Sequence, residues 1–147
     1  MYRPVRVLLI DDNPQDAILL QELLSETSIP TEITTLSDGE KAISEMARTI
    51  EQGSSVDLVF LDLNLPKKNG HEVLEFIRSR KEIERTCVII YTGSKAPDDE
   101  RRAVRNGANG YLVKPMGGNE MNAMILRLRD LLVSVSEGTC PPHIVVV

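Results

Sequence analysis

The stretch that decides the fold reads Val5-Arg6-Val7-Leu8-Leu9-Ile10-Asp11-Asp12-Asn13-Pro14. It opens on a mostly apolar run, 5–10, of the kind that forms a short buried strand. Two aspartates follow the run directly, and Asn13 with Pro14 then supplies a helix N-cap and a proline at the first helical position. The stretch therefore predicts a buried strand that passes through an acidic turn into a helix.

The same pattern of strand and helix recurs along the chain. Aliphatic runs at 56–61, 87–91 and 110–113 predict three more buried strands, and the more alternating run 31–36 predicts an edge strand. Stretches with helical periodicity separate the strands, and the one that begins near Asp98 has the fewest apolar positions. This alternation predicts an α/β fold whose parallel sheet is covered by helices on both faces.

Length and composition limit the classes of protein. The chain has 147 residues and a formal net charge of −5, which suits one compact domain and argues against sequence-independent binding of nucleic acid. No apolar run approaches the ~20 residues of a membrane-spanning helix, and the N-terminus is not a secretory signal. Cys87 and Cys140 have neither metal-ligand spacing nor a disulfide framework. We therefore expect a cytoplasmic protein that binds neither nucleic acid nor a membrane.

Chemically active side chains follow four of the predicted strands. Asp11 and Asp12 follow the first strand, Asp62 the third, Thr92 the fourth and Lys114 the fifth. Parallel strands end at one edge of a sheet, where ligands bind, so we expect these side chains to lie together. Neighbouring carboxylates repel one another unless a cation lies among them, and oxygen ligands with room for water suit Mg2+. Each residue taken singly is more often a cap, a turn residue or a solvated side chain, but their shared position favours a site for a phosphoryl group.

Four motifs in order resemble the receiver domain of bacterial-type two-component response regulators. The resemblance runs from about residue 5 to 132 and rests on 7–14, 61–70, Tyr91-Thr92-Gly93 and Gly107-Ala108-Asn109-Gly110-Tyr111-Leu112-Val113-Lys114-Pro115. It implies a flavodoxin-like, doubly wound (βα)5 fold with a parallel five-stranded sheet in the order 2-1-3-4-5. We expect the receiver domain at 1–135 and a C-terminal tail at 136–147 that is flexible or held in a self-contact.

The resemblance also implies a role for each site residue. Asp62 would be the phosphoacceptor, which takes a phosphoryl group from a sensor histidine kinase or a phosphotransfer protein. Lys114 and Thr92 would contact the phosphoryl oxygens, and Tyr111 would be the switch residue that moves inward as Thr92 is drawn to the phosphate. An ion of Mg2+ or Mn2+ would be held by Asp11, Asp12, Asp62 and the backbone carbonyl of Asn64.

Further expectations concern the backbone and the output. The bond between Lys114 and Pro115 matches one that is cis in the family, against a base rate of about 5–6% for X–Pro bonds. The protein would catalyse its own phosphorylation and dephosphorylation without being a turnover enzyme. It would carry no attached output domain, so it would signal by changing a surface that binds a downstream protein.

The expected output surface is the face formed by the fourth helix, the fifth strand and the fifth helix. Together with the apolar tail, this face also predicts a homodimer. The sequence Leu-Pro-Lys-Lys at 65–68 is similar to stand-alone regulators that include partners of phytochrome-type sensor kinases.

Two other functions use the same residues. A magnesium-dependent phosphatase or phosphotransferase for small molecules would also form an aspartyl phosphate. Such enzymes typically have a second carboxylate two residues after the nucleophile, where this chain has Asn64. A degenerate receiver that serves only as a scaffold is the other alternative. The presence of all five phosphorylation-site residues argues against it.

Overall fold

The computed structural model describes residues 3–140 and 144–146, which build one sheet between two layers of helices. None of the helices in these ranges is both long and apolar enough to cross a membrane. The strands are Val5–Ile10 (β1), Thr31–Leu36 (β2), Leu58–Leu61 (β3), Cys87–Thr92 (β4), Gly110–Val113 (β5) and Ile144–Val146 (β6). The helices are Pro14–Ser25 (α1), Gly39–Gln52 (α2), Gly70–Ser79 (α3), Pro97–Arg105 (α4) and Gly118–Ser136 (α5).

The sheet has the strand order β2-β1-β3-β4-β5-β6, and each neighbouring pair runs parallel. The predicted flavodoxin-like order 2-1-3-4-5 is therefore confirmed for the first five strands. A sixth strand extends the sheet, since Gly110 pairs with Ile144 and Leu112 with Val146. An apolar strand at this position covers the edge of β5, which would otherwise offer unpaired backbone groups.

Side chains of β1 enter both helical layers because successive residues of a strand point to opposite faces. Leu8 and Ile10 pack in the layer of α2, α3 and α4, whereas Val7 and Leu9 pack in the layer of α1 and α5. All four side chains are buried. The mostly apolar run 5–10 is thus explained by a strand with a core on each side, in which Arg6 alone is exposed.

The helix α4 is the most weakly anchored helix, as its few apolar positions predict. Ala103 is its buried residue, and Val104 remains 39% exposed. By comparison, Val73, Leu74 and Ile77 of α3 are all fully buried. Burial of apolar area stabilises the packing of a helix against the sheet. The packing of α4 is therefore less stable than that of its neighbours.

The C-terminal segment differs in part from the expected tail. The last helix extends to Ser136, and residues 144–146 form β6 rather than a free end. Residues 141–143 and 147 lie outside the described residues. The division into a receiver domain at 1–135 and a tail at 136–147 that is flexible or held in a self-contact therefore stays a prediction.

A disulfide joins Cys87, the first residue of β4, to Cys140, just after α5. The prediction that the two cysteines form no disulfide is therefore wrong. They are 53 residues apart, so their spacing carried no signal. They meet because the segment that follows α5 packs in the same core layer as the start of β4.

Reduction of this disulfide should lower the free energy of unfolding by about 2–4 kcal/mol, because the bond restricts the unfolded chain. Urea unfolding of air-oxidised protein, with and without dithiothreitol, measures the difference. The Cys140→Ser variant is the control and should not respond to dithiothreitol. Free thiols in the oxidised protein after unfolding would contradict the bond.

Arg78 and Asn109 connect α3, β4 and the turn before β5. The Arg78 guanidinium donates to the backbone oxygens of Gly107 and Thr86 at 2.9 and 2.8 Å and to Asn109 Oδ1 at 2.6 Å. Asn109 Oδ1 also accepts a hydrogen bond from the amide of Val88 at 2.9 Å. Burial lowers the pKa of Arg78 from its ordinary value, and its backbone partners are uncharged acceptors.

Replacement of Asn109 by alanine should lower the free energy of unfolding by about 1–3 kcal/mol, because it leaves partly buried donors of Arg78 and Val88 without an acceptor. Urea unfolding followed by circular dichroism measures the loss. The matched control is Asn122→Ala on the exposed face of α5, for which the expected change is within about 0.5 kcal/mol. Equal effects of the two substitutions would contradict the role given to Asn109.

Candidate functional site

Backbone pairing continues one residue past the strands and places the site residues at the carboxyl edge of the sheet. The amide of Asp11 donates to Leu36 O at 3.0 Å, and the amide of Asp62 donates to Ile10 O at 3.0 Å. The amide of Lys114 donates to Thr92 O at 2.8 Å. This backbone pairing therefore determines which side chains after the strands point toward one another.

The predicted acidic cluster is present. One carboxylate oxygen from each of Asp11, Asp12 and Asp62 lies within 4.8 Å of the others. Asp11 and Asp62 are buried, whereas Asp12 is exposed. Burial raises the pKa of Asp11 from its ordinary value, against the opposing effects of Lys114 and of the Asn13 amide. The fold thus holds three negatively charged groups close together in a partly buried site.

The geometry of this cluster fits a divalent cation. The Oδ1 atoms of Asp11 and Asp62 accept hydrogen bonds from the amides of Asn13 and Asn64, at 2.9 and 3.2 Å, which turns the two carboxylates to a set orientation. The buried Asp11 Oδ2 lies 2.8 Å from Lys114 Nζ and has no further hydrogen-bond partner among residues 3–140 and 144–146. A buried oxygen of this kind beside two more carboxylates is a suitable ligand for Mg2+ or Mn2+.

Lys114 supplies the positive charge of the site. Its Nζ lies 2.8 Å from Asp11 Oδ2, 2.8 Å from Asp16 Oδ2 and 2.9 Å from Asp62 Oδ2. Burial lowers the pKa of this ammonium, but pairing with the three carboxylates outweighs burial and raises the pKa above its ordinary value. Lys114 is therefore protonated at neutral pH and lies beside the predicted phosphoacceptor.

Asp16 is the site residue that sequence reasoning missed. It is the third residue of α1, after the Asn13 N-cap, which accepts hydrogen bonds from the amides of Gln15 and Asp16. An acid in the first turn of a helix is ordinarily explained by the helix dipole. The sequence did offer one indication of this role. Asp16 lies in the first helical turn after Asp11 and Asp12, and that turn places it over the end of β1.

Thr92 and Tyr111, the predicted switch residues, both contact Ser94 in the loop that follows β4. Thr92 is fully buried, and its Oγ1 accepts a hydrogen bond from the amide of Ser94 at 3.4 Å. Tyr111 is also buried, and its hydroxyl donates to Ser94 O at 3.0 Å. Burial raises the pKa of Tyr111, and its ring points inward in this structure.

The loop from β3 to α3 needs a glycine beside Asp62. A Cβ atom on Gly70 would lie 2.3 Å from Asp62 O and 2.8 Å from Leu63 Cα, so a larger residue would push the helix away from the site. Asn64, the predicted carbonyl ligand, is exposed in the same loop. The N-terminus of α3 can therefore pack closely against the backbone that carries Asp62.

The predicted cis bond between Lys114 and Pro115 is wrong for this structure. Residues 3–140 and 144–146 contain no cis peptide bond. The trans isomer is the intrinsically favoured one for an X–Pro bond. With this bond trans, Pro115 is buried and Lys114 still reaches all three carboxylates.

The fold and this set of carboxylates with an opposing lysine define a receiver domain. The family described as the response regulator receiver domain matches residues 7–126, and the chain belongs to it. The predicted resemblance is therefore confirmed.

The chain is similar to individual response regulators and to their solved structures. The response regulator Rcp1 of Synechocystis is 34% identical over 83% of this chain and 84% of its own. The probable methanogenesis regulatory protein FilR2 of Methanothrix harundinacea is 32% identical over 86% of this chain and 83% of its own. The phosphorylated cyanobacterial phytochrome response regulator RcpA matches with a TM-score of 0.82 and 30% identity, over 95% of this chain and 99% of its own. Rcp1 also has a structure in an Mn2+-bound form, which matches with a TM-score of 0.76.

Asp12→Asn should be more stable than the wild-type protein in the absence of metal and less stable than it in the presence of metal. In EDTA, Asp12→Asn should raise the free energy of unfolding, because it removes one of the mutually repelling charges. In Mg2+ at a hundredfold excess over its dissociation constant, the wild-type protein should gain about 2.7 kcal/mol. The variant should gain much less, because a ligand is missing.

Urea unfolding in the two buffers measures both signs. The control is Asp130→Asn, which makes the same charge change on the exposed face of α5 and should leave the magnesium-dependent gain unchanged. A gain in Asp12→Asn equal to that of the wild-type protein would contradict its assignment as a ligand.

Proposed function

We propose that Asp62 accepts a phosphoryl group from the phosphohistidine of a sensor histidine kinase or a phosphotransfer protein. The observation that carries this proposal is the position of the Asp62 carboxylate, which is buried among two further acids with Lys114 Nζ at 2.9 Å. Phosphoryl transfer is catalysed mainly by positioning and by stabilisation of the charge on the phosphoryl oxygens. The site offers both to an incoming phosphoryl group.

In this mechanism, a carboxylate oxygen of Asp62 attacks phosphorus in line with the leaving imidazole. The bond from phosphorus to the histidine nitrogen breaks as the bond to Asp62 forms, and the product is an aspartyl phosphate. Lys114 donates to one phosphoryl oxygen and Thr92 to another. The residues that would hold Mg2+ or Mn2+ are Asp11, Asp12, Asp62 and Asn64 through its carbonyl. The ion supplies positive charge that offsets the charge of the phosphoryl group.

The output follows from the contacts of Thr92. The Thr92 hydroxyl oxygen accepts a hydrogen bond from the Ser94 amide, so a movement of Thr92 toward a phosphoryl oxygen pulls on Ser94. Ser94 in turn accepts from Tyr111 and donates to Asp99 Oδ2 at 2.5 Å. A shift of Thr92 therefore acts on the loop before α4, the most weakly anchored helix. We propose that the face of α4, β5 and α5, where β6 now pairs with the edge of β5, binds the downstream target. The same face would also bind a second copy of the chain in a homodimer.

The partner and the location are also proposals. Two of the similar structures are of the phytochrome response regulator RcpA and of the bacteriophytochrome response regulator RtBRR, which favours a phytochrome-type sensor kinase as the phosphodonor. Kinase and regulator would meet in the cytoplasm. The protein would be a switch that also loses its own phosphate, and its phosphoryl transfer would serve signalling rather than the turnover of a metabolite.

Incubation with acetyl phosphate and Mg2+ should add one phosphoryl group that is stable to acid and labile to base. Asp62→Asn should abolish this addition, because an amide oxygen is a poor nucleophile. Intact-protein mass spectrometry measures the addition. The control Asp130→Asn should be phosphorylated like the wild-type protein.

Phosphate on another residue would contradict the role of Asp62. Rapid turnover of a sugar phosphate would instead favour the small-molecule phosphatase.

A further inference from the structure

Asp16 has no part in the proposed mechanism, yet its carboxylate is paired with Lys114, which the mechanism needs. Its Oδ2 accepts a hydrogen bond from Lys114 Nζ at 2.8 Å, as close as the contact that Asp62 makes at 2.9 Å. The ammonium has three N–H donors, and the carboxylates of Asp11, Asp16 and Asp62 all lie around it. A phosphoryl oxygen that binds Lys114 must therefore compete with the carboxylates already there.

We propose that Asp16 is a positioning residue that competes with the phosphoryl group for Lys114 and so lowers the affinity of the site for small anionic phosphodonors. This inference rests on the proposed phosphorylation of Asp62. A small donor depends on the charges of the site for its binding, whereas a protein donor also binds through its own docking surface. Asp16 therefore favours the protein donor over free acyl phosphates.

The burial of the three carboxylates supports a role at the entrance of the site. The side chain of Asp16 is 34% exposed, whereas those of Asp62 and Asp11 are 7% and 1% exposed. Asp16 thus lies on the solvent side of Lys114. A phosphoryl group that approaches Lys114 from the side of Asp16 therefore encounters this negative charge.

The charge balance gives the direction of the effect. Transfer converts the Asp62 carboxylate to an acyl phosphate that carries about −1.5 to −2 charges, so Lys114 exchanges its carboxylate partner for phosphoryl oxygens. The Asp16 charge remains beside them and repels the phosphoryl group. Asp16 also remains a hydrogen-bond acceptor for the Lys114 ammonium, which the phosphoryl oxygens require.

A purely structural role for Asp16 makes different predictions. Its carboxylate lies in the first turn of α1, where it stabilises the helix through the dipole. Loss of that effect would lower stability without changing how phosphodonors bind. The two roles are therefore separated by the concentration of donor at which the rate of phosphorylation is half-maximal.

The experiment measures the rate of Asp62 phosphorylation against acetyl phosphate concentration at saturating Mg2+. Asp16→Asn should lower the half-saturating concentration by on the order of two- to fivefold, the effect of one partly exposed ion pair, with little change in the maximal rate. Asp16→Glu keeps the charge and should remain close to the wild-type protein. The control Asp130→Asn should also match the wild-type protein, since it changes net charge away from the site.

A second measurement needs neither metal nor phosphodonor. In EDTA, the shift in urea midpoint caused by Asp16→Asn is compared in the wild-type and Lys114→Gln backgrounds. In the Lys114→Gln background Asp16 only repels the other carboxylates, so its removal should shift the midpoint upward relative to its effect in the wild-type background. The saturation measurement decides alone if the Lys114→Gln background does not fold.

The outcomes separate the inference from the function on which it rests. If the wild-type protein takes up no phosphate on Asp62, the proposed function fails and the inference fails with it. If the wild-type protein is phosphorylated but Asp16→Asn has an unchanged or higher half-saturating concentration, the inference alone is overturned. Equal midpoint shifts in the two backgrounds would likewise overturn the competition for Lys114.

Discussion

Lys114 holds together a group of carboxylates that would otherwise repel one another. One carboxylate oxygen from each of Asp11, Asp12 and Asp62 lies within 4.8 Å of the others, and Asp16 adds a fourth negative charge 2.8 Å from the ammonium. Such an arrangement is costly by itself, since buried like charges raise each other's energy. It persists because the apolar layers on both faces of the sheet stabilise the strands that carry it.

The backbone determines which side chains enter this group. Asp11, Asp62 and Lys114 each follow a strand directly, and each is tied to the neighbouring strand by its amide. Because side chains alternate along a strand, a shift of one residue in the register would turn a carboxylate away from the site. The precision of the site therefore comes from the pairing of the sheet, and Gly70 lets α3 close in behind Asp62.

Residues next to strand ends were predictable, whereas contacts that depend on tertiary packing were not. Asp11, Asp62 and Lys114 could be placed together from the sequence because parallel strands end at one edge. Asp16 could not, since its contact with Lys114 depends on how α1 is rotated over β1. The disulfide from Cys87 to Cys140 and the strand β6 depend in the same way on where the chain returns after α5. No local pattern in the sequence encodes that return.

The uneven anchoring of the helices determines where a change at the site can spread. New contacts to a phosphoryl group supply only a few kcal/mol, because charge-assisted hydrogen bonds contribute about 1.5–3 kcal/mol each. That is too little to move α3, whose Val73, Leu74 and Ile77 are fully buried, but α4 is held mainly by Ala103. The edge of β5 is already paired with β6. The loop that joins Thr92 to α4 is therefore the part of the molecule with both a direct link to the site and the freedom to respond.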